Sequence, residues 1–281
     1  SNTIRIDESI VTEALRNVPS SFTLTSRNPD KHVHFGGNSL VFGLVAGPPN
    51  VHDRLNGRRP GNLPDYQNFI RLAHHFNAIH IIGNQVVAPI ELPANSRHLD
   101  TYHANLTLSD LSFHCTAIGR ARAMDGINVM YGAFTSNVDM KSGAPAFGTP
   151  ENAKANIIAG QLARRYNLPY RTSNANASNV VDLQAAYETE MATWGAVLGG
   201  ANLIYHAAGW LEGGLTASYE KLVLDVEILQ NMMEFLRPLP FQEDDLGFEA
   251  IKSVPAGGHF FGAEHTMSRY TTAFYQPMLS N

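Results

Sequence analysis

The stretch Ala201-Asn-Leu-Ile-Tyr-His-Ala207 decides the fold class, because it is a short apolar run between two long helical patterns. The helical patterns cover Asp182–Leu198 before it and Tyr219–Leu236 after it. A strand joined to long helices by short connections predicts right-handed βαβ units and a parallel sheet. The apolar character of Ala201–Tyr205 is typical of a sheet that is covered on both faces.

The same alternation of strand and helix continues toward the amino terminus. Predicted strands lie at Val129–Phe134 and Tyr170–Ser173, with a predicted helix at Pro150–Tyr166 between them. Both a closed (β/α)₈ barrel and an open doubly wound sheet fit this order. No Gly-x-Gly-x-x-Gly follows any of the strands, which disfavours an open nucleotide-binding sheet. We therefore predict an α/β fold of the TIM (β/α)₈-barrel type, incomplete in this chain.

The first part of the chain does not follow the βα pattern. Ile6–Asn17 predicts a short helix capped by Asp7, and the alternation from Val33 to Leu44 predicts a β-hairpin. An amphipathic helical pattern begins at Leu63. The predicted organisation is therefore an amino-terminal extension over residues 1–62, with a helix and a hairpin, and a β/α barrel domain over residues 63–281.

Composition limits the class of protein. The 281 residues carry 16% charged side chains and a net charge of −5, so neither a disordered chain nor a nucleic-acid-binding protein is favoured. The single cysteine, Cys115, excludes an internal disulfide and fits a reducing compartment. The apolar runs are too short to cross a bilayer, and the amino terminus has no signal-peptide pattern. We predict a soluble, cytoplasmic protein that forms homo-oligomers, without nucleic-acid or membrane partners.

Function in parallel α/β folds gathers where the strands end at their carboxyl termini. That rule selects three loops, which are Tyr131–Asp139, Thr172–Asn179 and Tyr205–Glu212. The second loop is rich in asparagine and hydroxyl groups, which are common in turns but could also bind a polar ligand. The third loop places an imidazole, His206, between aromatic side chains, although a lone histidine there is as often structural as catalytic.

Metal chemistry has little support in the spacing of the twelve histidines. His32 and His34 alternate on a strand, His74 and His75 are adjacent, and no His-Glu-x-x-His motif occurs. We predict no protein-bound metal. A Gly-x-Ser-x-Gly nucleophile motif is also absent from the sequence.

Several longer segments of the sequence resemble those of one known family. They are Arg27-Asn-Pro through Gly36-Gly-Asn-Ser, Gly47-Pro-Pro, Gly57-Arg-Arg-Pro-Gly, Tyr131-Gly-Ala-Phe-Thr-Ser-Asn-Val-Asp-Met with Gly143-Ala-Pro-Ala-Phe-Gly, Asp182-Leu-Gln-Ala-Ala-Tyr-Glu, and His206-Ala-Ala-Gly-Trp-Leu-Glu-Gly-Gly-Leu. Together, over almost the whole chain, they resemble the trimethylamine methyltransferase family of corrinoid-dependent enzymes. No single phrase is a general catalytic motif, so the resemblance rests on their combination.

The resemblance implies a TIM-barrel subunit that takes a methyl group from a methylated amine and passes it to a Co(I) corrinoid (a cobalamin) on a separate small protein. It also implies a place in methylamine metabolism, which in archaea is related to methanogenesis. The archaeal members use pyrrolysine, which this sequence does not contain. A quaternary ammonium leaves as a neutral amine without activation, whereas a tertiary amine leaves poorly. The expected substrates are therefore glycine betaine, related betaines or carnitine.

The resemblance and the loop positions together give candidate site residues. Aromatic side chains attract a quaternary cation, and the predicted set is Tyr131, Phe134, Tyr205 and Trp210. The predicted donors to a substrate carboxylate are Asn174, Asn176 and His206, and the predicted catalytic residues are His206 and Glu188. Two alternatives stay open, a barrel that binds betaine-like solutes without turnover and a metal-dependent lyase or hydrolase on the same fold.

The number of βα units raises a further expectation about the chain itself. A complete (β/α)₈ barrel takes about 250 residues, and fewer than eight convincing units occur here. In the family that the chain resembles, a substantial segment lies between the phrases that end near Asp125 and begin at Tyr131, and the family also continues beyond Asn281. We therefore predict that Met130 and Tyr131, or residues within a few positions of them, are not joined directly in the native protein.

Overall fold

The computed structural model describes residues 3–83, 85–114, 130–133, 137–239 and 241–280. They divide into two compact units, Ser1–Val226 and Glu227–Asn281. The helices are α1 (Glu8–Arg16), α2 (Leu63–His75), α3 (Arg97–Leu108), α4 (Pro150–Arg165), α5 (Leu183–Leu198), α6 (Tyr219–Leu236), α7 (Phe248–Ser253) and α8 (Glu264–Met267). None of the helices in these described residues is long and apolar enough to cross a membrane.

The helices begin where the sequence provides capping side chains. Asp182 accepts a hydrogen bond from the backbone N–H of Ala185 at the start of α5, and Thr149 does the same for Asn152 in α4. Asp7 caps α1 through the N–H of Ser9. Each cap satisfies a backbone donor that has no partner within its own helix. The predicted cap at Asp7 is therefore confirmed.

A six-stranded parallel sheet forms the centre of the first unit. The strands of the chain are β1 (Phe22–Leu24), β2 (Val33–Phe35), β3 (Val41–Leu44), β4 (Asn50–Asp53), β5 (Gly57–Pro60), β6 (Ile81–Ile82), β7 (Ser112–Phe113), β8 (Tyr131–Gly132), β9 (Tyr170–Ser173), β10 (Leu203–Ala208), β11 (Trp210–Leu211) and β12 (Thr216–Ser218). The order in the large sheet is β7-β6-β3-β10-β9-β8, and all its pairs are parallel. The predicted α/β fold with a parallel sheet is confirmed.

The predicted closed barrel is not found among the described strands. β7 and β8 lie at the two ends of the strand order, and no pairing joins them in the described part of the chain. Most of residues 125–134, the stretch around the break predicted near Met130 and Tyr131, lies outside the described residues. Among the strands that the structure describes, the sheet is therefore open.

The predicted hairpin from Val33 to Leu44 is wrong in its pairing. β2 pairs with β1 in an antiparallel ribbon, whereas β3 enters the parallel sheet between β10 and β6. Every residue of β3 is buried, which requires a partner strand on both sides and cover on both faces. The alternation seen in the sequence reflects two different strands, and the turn at Gly36 and Gly37, both at positive φ, separates them.

A smaller four-stranded sheet lies at the carboxyl edge of the large one. Its order is β11-β12-β4-β5, and its strands follow directly on β3 and β10. Arg59 on β5 forms a two-point ion pair with Asp65 of α2, with N–O distances of 2.5 and 2.7 Å. The hydroxyl of Tyr219 donates to the same carboxylate over 2.9 Å. These contacts fix the small sheet to the starts of α2 and α6.

Helices α4 and α5 cross in very close contact at a glycine. A Cβ atom added to Gly160 would lie 1.9 Å from the carbonyl oxygen of Gly199, which is far inside van der Waals contact. The side chains of Tyr170 and Thr172 of β9 reach the same helix α4, where both contact Asn156. The crossing therefore sets how closely the helix layer can approach β9.

We expect Gly160→Ala to destabilise the protein despite the higher helix propensity of alanine. The propensity gain is about 1 kcal/mol, whereas overpacking a close contact costs about 1–3 kcal/mol or more. The contact here is with backbone, which cannot rotate away, so we expect the larger end of that range. Urea unfolding would measure the change, with Gly132→Ala as the matched control, because nothing lies within 4 Å of a Cβ added at Gly132. Equal unfolding free energies for the two variants would contradict this packing.

Candidate functional site

An irregularity in β10 creates the centre of the site. Ile204 pairs with Phe42 and Ala208 pairs with Leu44. Between these two pairs β10 therefore advances by four residues, whereas its partner β3 advances by two. His206 lies within this bulge at φ 56°, in the left-handed region that non-glycine residues rarely adopt. Such a conformation costs about 1–3 kcal/mol and persists only where the surroundings enforce it. The bulge turns the imidazole of His206 away from regular strand geometry.

His206 lies between two larger aromatic rings. Its ring centroid is 4.3 Å from that of Tyr205 and 4.3 Å from that of Trp210. Phe147 then meets Trp210 edge-on, with centroids 6.4 Å apart and planes at 89°. All four side chains are buried. The structure thus provides a continuous aromatic surface at the carboxyl end of β10.

The imidazole of His206 is neutral in this environment. Burial lowers the pKa of His206 well below its ordinary value, and the nearby charge of Arg171 lowers it further. Its Nδ1 accepts a hydrogen bond from the backbone N–H of Ala46 over 3.1 Å. A neutral imidazole that accepts at Nδ1 carries its proton on Nε2. His206 is therefore a neutral donor group and a poor general base near neutral pH.

The asparagine loop after β9 lies against the loop after β10. The backbone N–H of Asn174 donates to the carbonyl of Tyr205, and its side-chain Nδ2 donates to the carbonyl of Ala207, both over 3.0 Å. The carbonyl of Asn176 accepts from the N–H of Gly213 over 3.0 Å. Two of the predicted loops therefore form one surface.

Two buried amide atoms of this loop point to a polar ligand. In the described residues, neither Oδ1 of Asn174 nor Nδ2 of Asn176 has a hydrogen-bond partner. Both residues are almost completely buried, and a buried polar atom without a partner costs about 1–3 kcal/mol. The two atoms differ in kind, because Asn174 offers an acceptor and Asn176 offers a donor. Asn176 thus has an amide nitrogen without a partner, whereas the amide nitrogen of Asn174 already makes one hydrogen bond to Ala207.

Glu188 holds the backbone of the asparagine loop. Its Oε2 accepts from the N–H groups of Ala177 and Ser178, each over 2.9 Å, and its Oε1 accepts from Gln184 over 2.7 Å. A Cβ added to Gly148 would lie 2.4 Å from Cβ of Glu188, so the stretch that carries Phe147 also packs on this side chain. These contacts anchor the loop and orient Glu188 toward backbone donors.

A fully buried ion pair lies beneath both loops. Lys221 and Asp225, one turn apart on α6, contact each other through Nζ and Oδ1. Lys221 Nζ donates to Thr189 Oγ1 over 2.7 Å, and Asp225 Oδ2 accepts from the N–H of Gly209 over 2.8 Å. Burial lowers the pKa of Lys221 and raises the pKa of Asp225. The pair joins α5 and α6 to the turn that precedes Trp210.

The predicted site residues do not all lie together. Tyr205 contacts the asparagine loop through its carbonyl, and the ring of His206 contacts the rings of Tyr205 and Trp210, whereas Tyr131 lies elsewhere. Tyr131 is in register with Tyr170, whose hydroxyl reaches α4, so Tyr131 belongs to the helix-covered face of the sheet. Tyr205 is in register with Ser173 and lies on the opposite face. Phe134 lies outside the described residues.

Several residues of the site were not selected from the sequence. Phe147 lies within the quoted Gly143-Ala-Pro-Ala-Phe-Gly phrase, but no periodicity marked it as an aromatic contact of Trp210. The Lys221–Asp225 spacing of four residues on an apolar helix is a recognisable signal for a buried pair. In the described part of the chain, no group of three or more His, Cys, Asp or Glu side chains could hold a metal ion.

Comparison with known proteins identifies the family of this chain. The sequence profile of the trimethylamine methyltransferase family matches residues 1–130 and 126–281. The chain belongs to the trimethylamine methyltransferase family. The two matched segments together cover the chain, and they meet near residue 130.

Relatives in this family differ in their substrates. A glycine betaine methyltransferase of Desulfitobacterium hafniense is 27% identical over an alignment of 369 residues, which covers 99% of this chain and 77% of that protein. A trimethylamine methyltransferase of the same species is 27% identical and covers 72% of this chain but 42% of that protein. A trimethylamine methyltransferase of Methanosarcina barkeri is 36% identical over 142 residues, half of this chain and 28% of that protein. The chain thus spans less than half the length of these two trimethylamine methyltransferases.

We expect Glu188→Gln to loosen the asparagine loop. The substituted amide keeps the shape of the side chain but replaces one accepting oxygen with a donor, and an unmet buried donor costs about 1–3 kcal/mol. Hydrogen exchange should therefore accelerate at the amides of Ala177 and Ser178. Glu190→Gln is the matched control, because Glu190 is exposed on the same helix and contacts only the Trp194 indole in the described hydrogen bonds. Unchanged exchange at both amides in the Glu188 variant would contradict the anchoring role.

Proposed function

We propose that this protein transfers a methyl group from a quaternary amine, such as glycine betaine, to a Co(I) corrinoid that a separate protein carries. The observation that supports this most directly is the neutral aromatic surface of Tyr205, His206, Trp210 and Phe147 at the carboxyl edge of the sheet. Family membership supports methyl transfer, and the alignment with the glycine betaine methyltransferase covers nearly the whole chain.

The chemistry favours a quaternary substrate for this surface. When a methyl carbon accepts the electron pair of a Co(I) acceptor, its C–N bond breaks and the bonding pair returns to nitrogen. A quaternary ammonium then leaves as a neutral tertiary amine, so no proton has to be delivered to the leaving nitrogen. His206 is neutral and has a lowered pKa, which fits a site where no acid is needed. A protonated imidazole would repel the substrate cation.

Trp210 is the proposed main contact for the trimethylammonium group. Among aromatic side chains, the tryptophan indole attracts a cation most strongly, and each cation–π contact contributes about 0.5–2 kcal/mol. Arg171 already occupies one side of the Tyr205 ring, because its guanidinium carbon lies 5.0 Å from the ring centroid. The proposed cation site is therefore the part of the surface formed by His206, Trp210 and Phe147. In this proposal Glu188 positions the asparagine loop rather than reacting with substrate.

The test is methyl transfer from a panel of quaternary amines to reduced cobalamin, followed by the optical spectrum of methylcobalamin. We expect turnover with glycine betaine, and we expect kcat/KM to fall about 2- to 30-fold in Trp210→Ala but less in Trp210→Phe. The same pair of substitutions at Trp194 is the matched control, because Trp194 lies on α5 and bonds to Glu190. Equal losses in both Trp210 variants would contradict a cation site on the indole. Binding of betaine without any methylcobalamin would instead support a solute-binding role.

We also propose that the open sheet is a (β/α)₈ barrel without two of its strands. Two successive strands follow β3 on one side, two precede β10 on the other, and β10 pairs with β3. That is the order of a barrel in which the last strand joins the first and the fourth and fifth strands, between β7 and β8, are not among the described residues. The alignment with the betaine enzyme spans 369 residues against 281 here, and the surplus fits two βα units of about 30 residues or more each.

The proposal predicts a longer native protein. We expect the intact mass of the protein from its native source to exceed 30.7 kDa. A tryptic digest of that protein should lack the peptide Ala123–Lys141, because a further segment would separate its two ends. Detection of that peptide with the mass of the contiguous sequence would contradict the proposal. Tryptic peptides on either side, such as those from α2 and α4, serve as the internal control for recovery.

A further inference from the structure

A cationic side chain lies on the same face of the sheet as the aromatic surface. Tyr170 and Thr172 of β9 contact Asn156 of α4, so the residue between them, Arg171, lies on the other face. Tyr205 also lies on that face, and the guanidinium of Arg171 covers its ring at 5.0 Å. Arg171 therefore extends the site beyond the proposed cation-binding rings.

The guanidinium of Arg171 gives this end of the site a positive charge. His114, directly after β7, meets the other part of the Tyr205 ring with centroids 5.5 Å apart. Burial lowers the pKa of Arg171, yet an arginine remains protonated in proteins. Burial lowers the pKa of both His114 and His206, and the charge of Arg171 lowers both further. The two histidines are thus kept neutral while the arginine keeps its charge.

The two ends of the site therefore differ in charge preference. The end formed by Trp210 and Phe147 is aromatic and uncharged, which suits a cation. The end formed by Arg171 suits an anion, and a guanidinium binds a carboxylate through two parallel N–H donors. A zwitterion such as a betaine presents a cation and a carboxylate within one small molecule.

We propose that Arg171 is a specificity-determining residue that binds the carboxylate of a zwitterionic quaternary amine. This proposal rests on the proposed function in one respect only, which is that the quaternary ammonium group of the substrate binds to the aromatic surface. We assign the main carboxylate contact to Arg171 rather than to Asn174, because a guanidinium is charged and offers two parallel donors, whereas one N–H of the neutral Asn174 amide already donates to the carbonyl of Ala207. Its remaining oxygen would repel a carboxylate, whereas Nδ2 of Asn176 can still assist Arg171.

Glycine betaine and choline form a matched pair of probes, because both carry a trimethylammonium group and only betaine carries a carboxylate. Isothermal titration with each ligand should be made on the wild type, Arg171→Gln, Arg171→Lys and a control, Arg165→Gln. Arg165 is an exposed arginine in the last turn of α4, away from the Tyr205 ring. The measured quantity is the ratio of the two affinities, which a general loss of folding would not change.

We expect the wild type to bind betaine more tightly than choline. Arg171→Gln should reduce that preference about tenfold to one hundredfold, which corresponds to one charge-assisted contact. Arg171→Lys should keep part of it, and Arg165→Gln should keep all of it. An unchanged ratio in Arg171→Gln, or a wild type without preference, would overturn the proposal.

The same experiment separates this inference from the proposed function. If betaine binding depends on Arg171 but no methylcobalamin forms with any quaternary amine, the carboxylate site stands and the proposed methyl transfer fails. If methyl transfer from betaine proceeds with the same betaine-to-choline preference in wild type and Arg171→Gln, only the role of Arg171 fails. If the wild type binds neither ligand, both proposals fail.

Discussion

The buried contact between Lys221 and Asp225 is the constraint on which the site depends. Asp225 accepts from the backbone of Gly209, and Lys221 donates to Thr189, so one pair on α6 fixes the turn after β10 and helix α5 together. Thr189 Oγ1 lies 2.8 Å from Asp225 and 3.0 Å from Asn176, and its single proton can serve only one of them at a time. Removing one partner of a buried ion pair destabilises the folded protein by about 3–5 kcal/mol, because the other charge then stays buried without a counter-charge.

This constraint explains why a strained residue can lie at the centre of the site. His206 adopts a left-handed backbone within the β10 bulge, and the chain must then return to strand geometry at Trp210. The hydrogen bond from the N–H of Gly209 to Asp225 fixes one end of that segment. The hydrogen bond from the N–H of Ala46 to Nδ1 of His206 fixes the imidazole itself. The strain is therefore balanced by contacts from α6 and from the chain after β3, so the orientation of the aromatic surface does not depend on a ligand.

The sequence predicted the parallel sheet because β10 and its flanking helices have clear periodicity, and it predicted the clustered loops because parallel strands end at one edge. It did not predict that β3 joins β10, since strand pairing across 160 residues leaves no local pattern in either segment. The sequence also did not predict on which face of the sheet each residue of a short strand lies. Tyr131 was grouped with Tyr205 by its position at a strand end, whereas the register of β8 with β9 places it on the helix-covered face. Residues such as Phe147 become visible only when tertiary contacts are known.

Charge separation along the site gives the strongest physical reason for a zwitterionic ligand. A protonated histidine between Tyr205 and Trp210 would oppose a quaternary ammonium, and burial together with the charge of Arg171 keeps His206 neutral. Arg171 therefore acts twice, since the same positive charge that would hold a carboxylate also removes the competing charge from the imidazole. A simple cation such as tetramethylammonium would gain the aromatic contacts and still meet repulsion from the guanidinium. In the proposed binding mode, a betaine places its carboxylate where that repulsion becomes attraction, and methylated amines that carry only a positive charge are disfavoured.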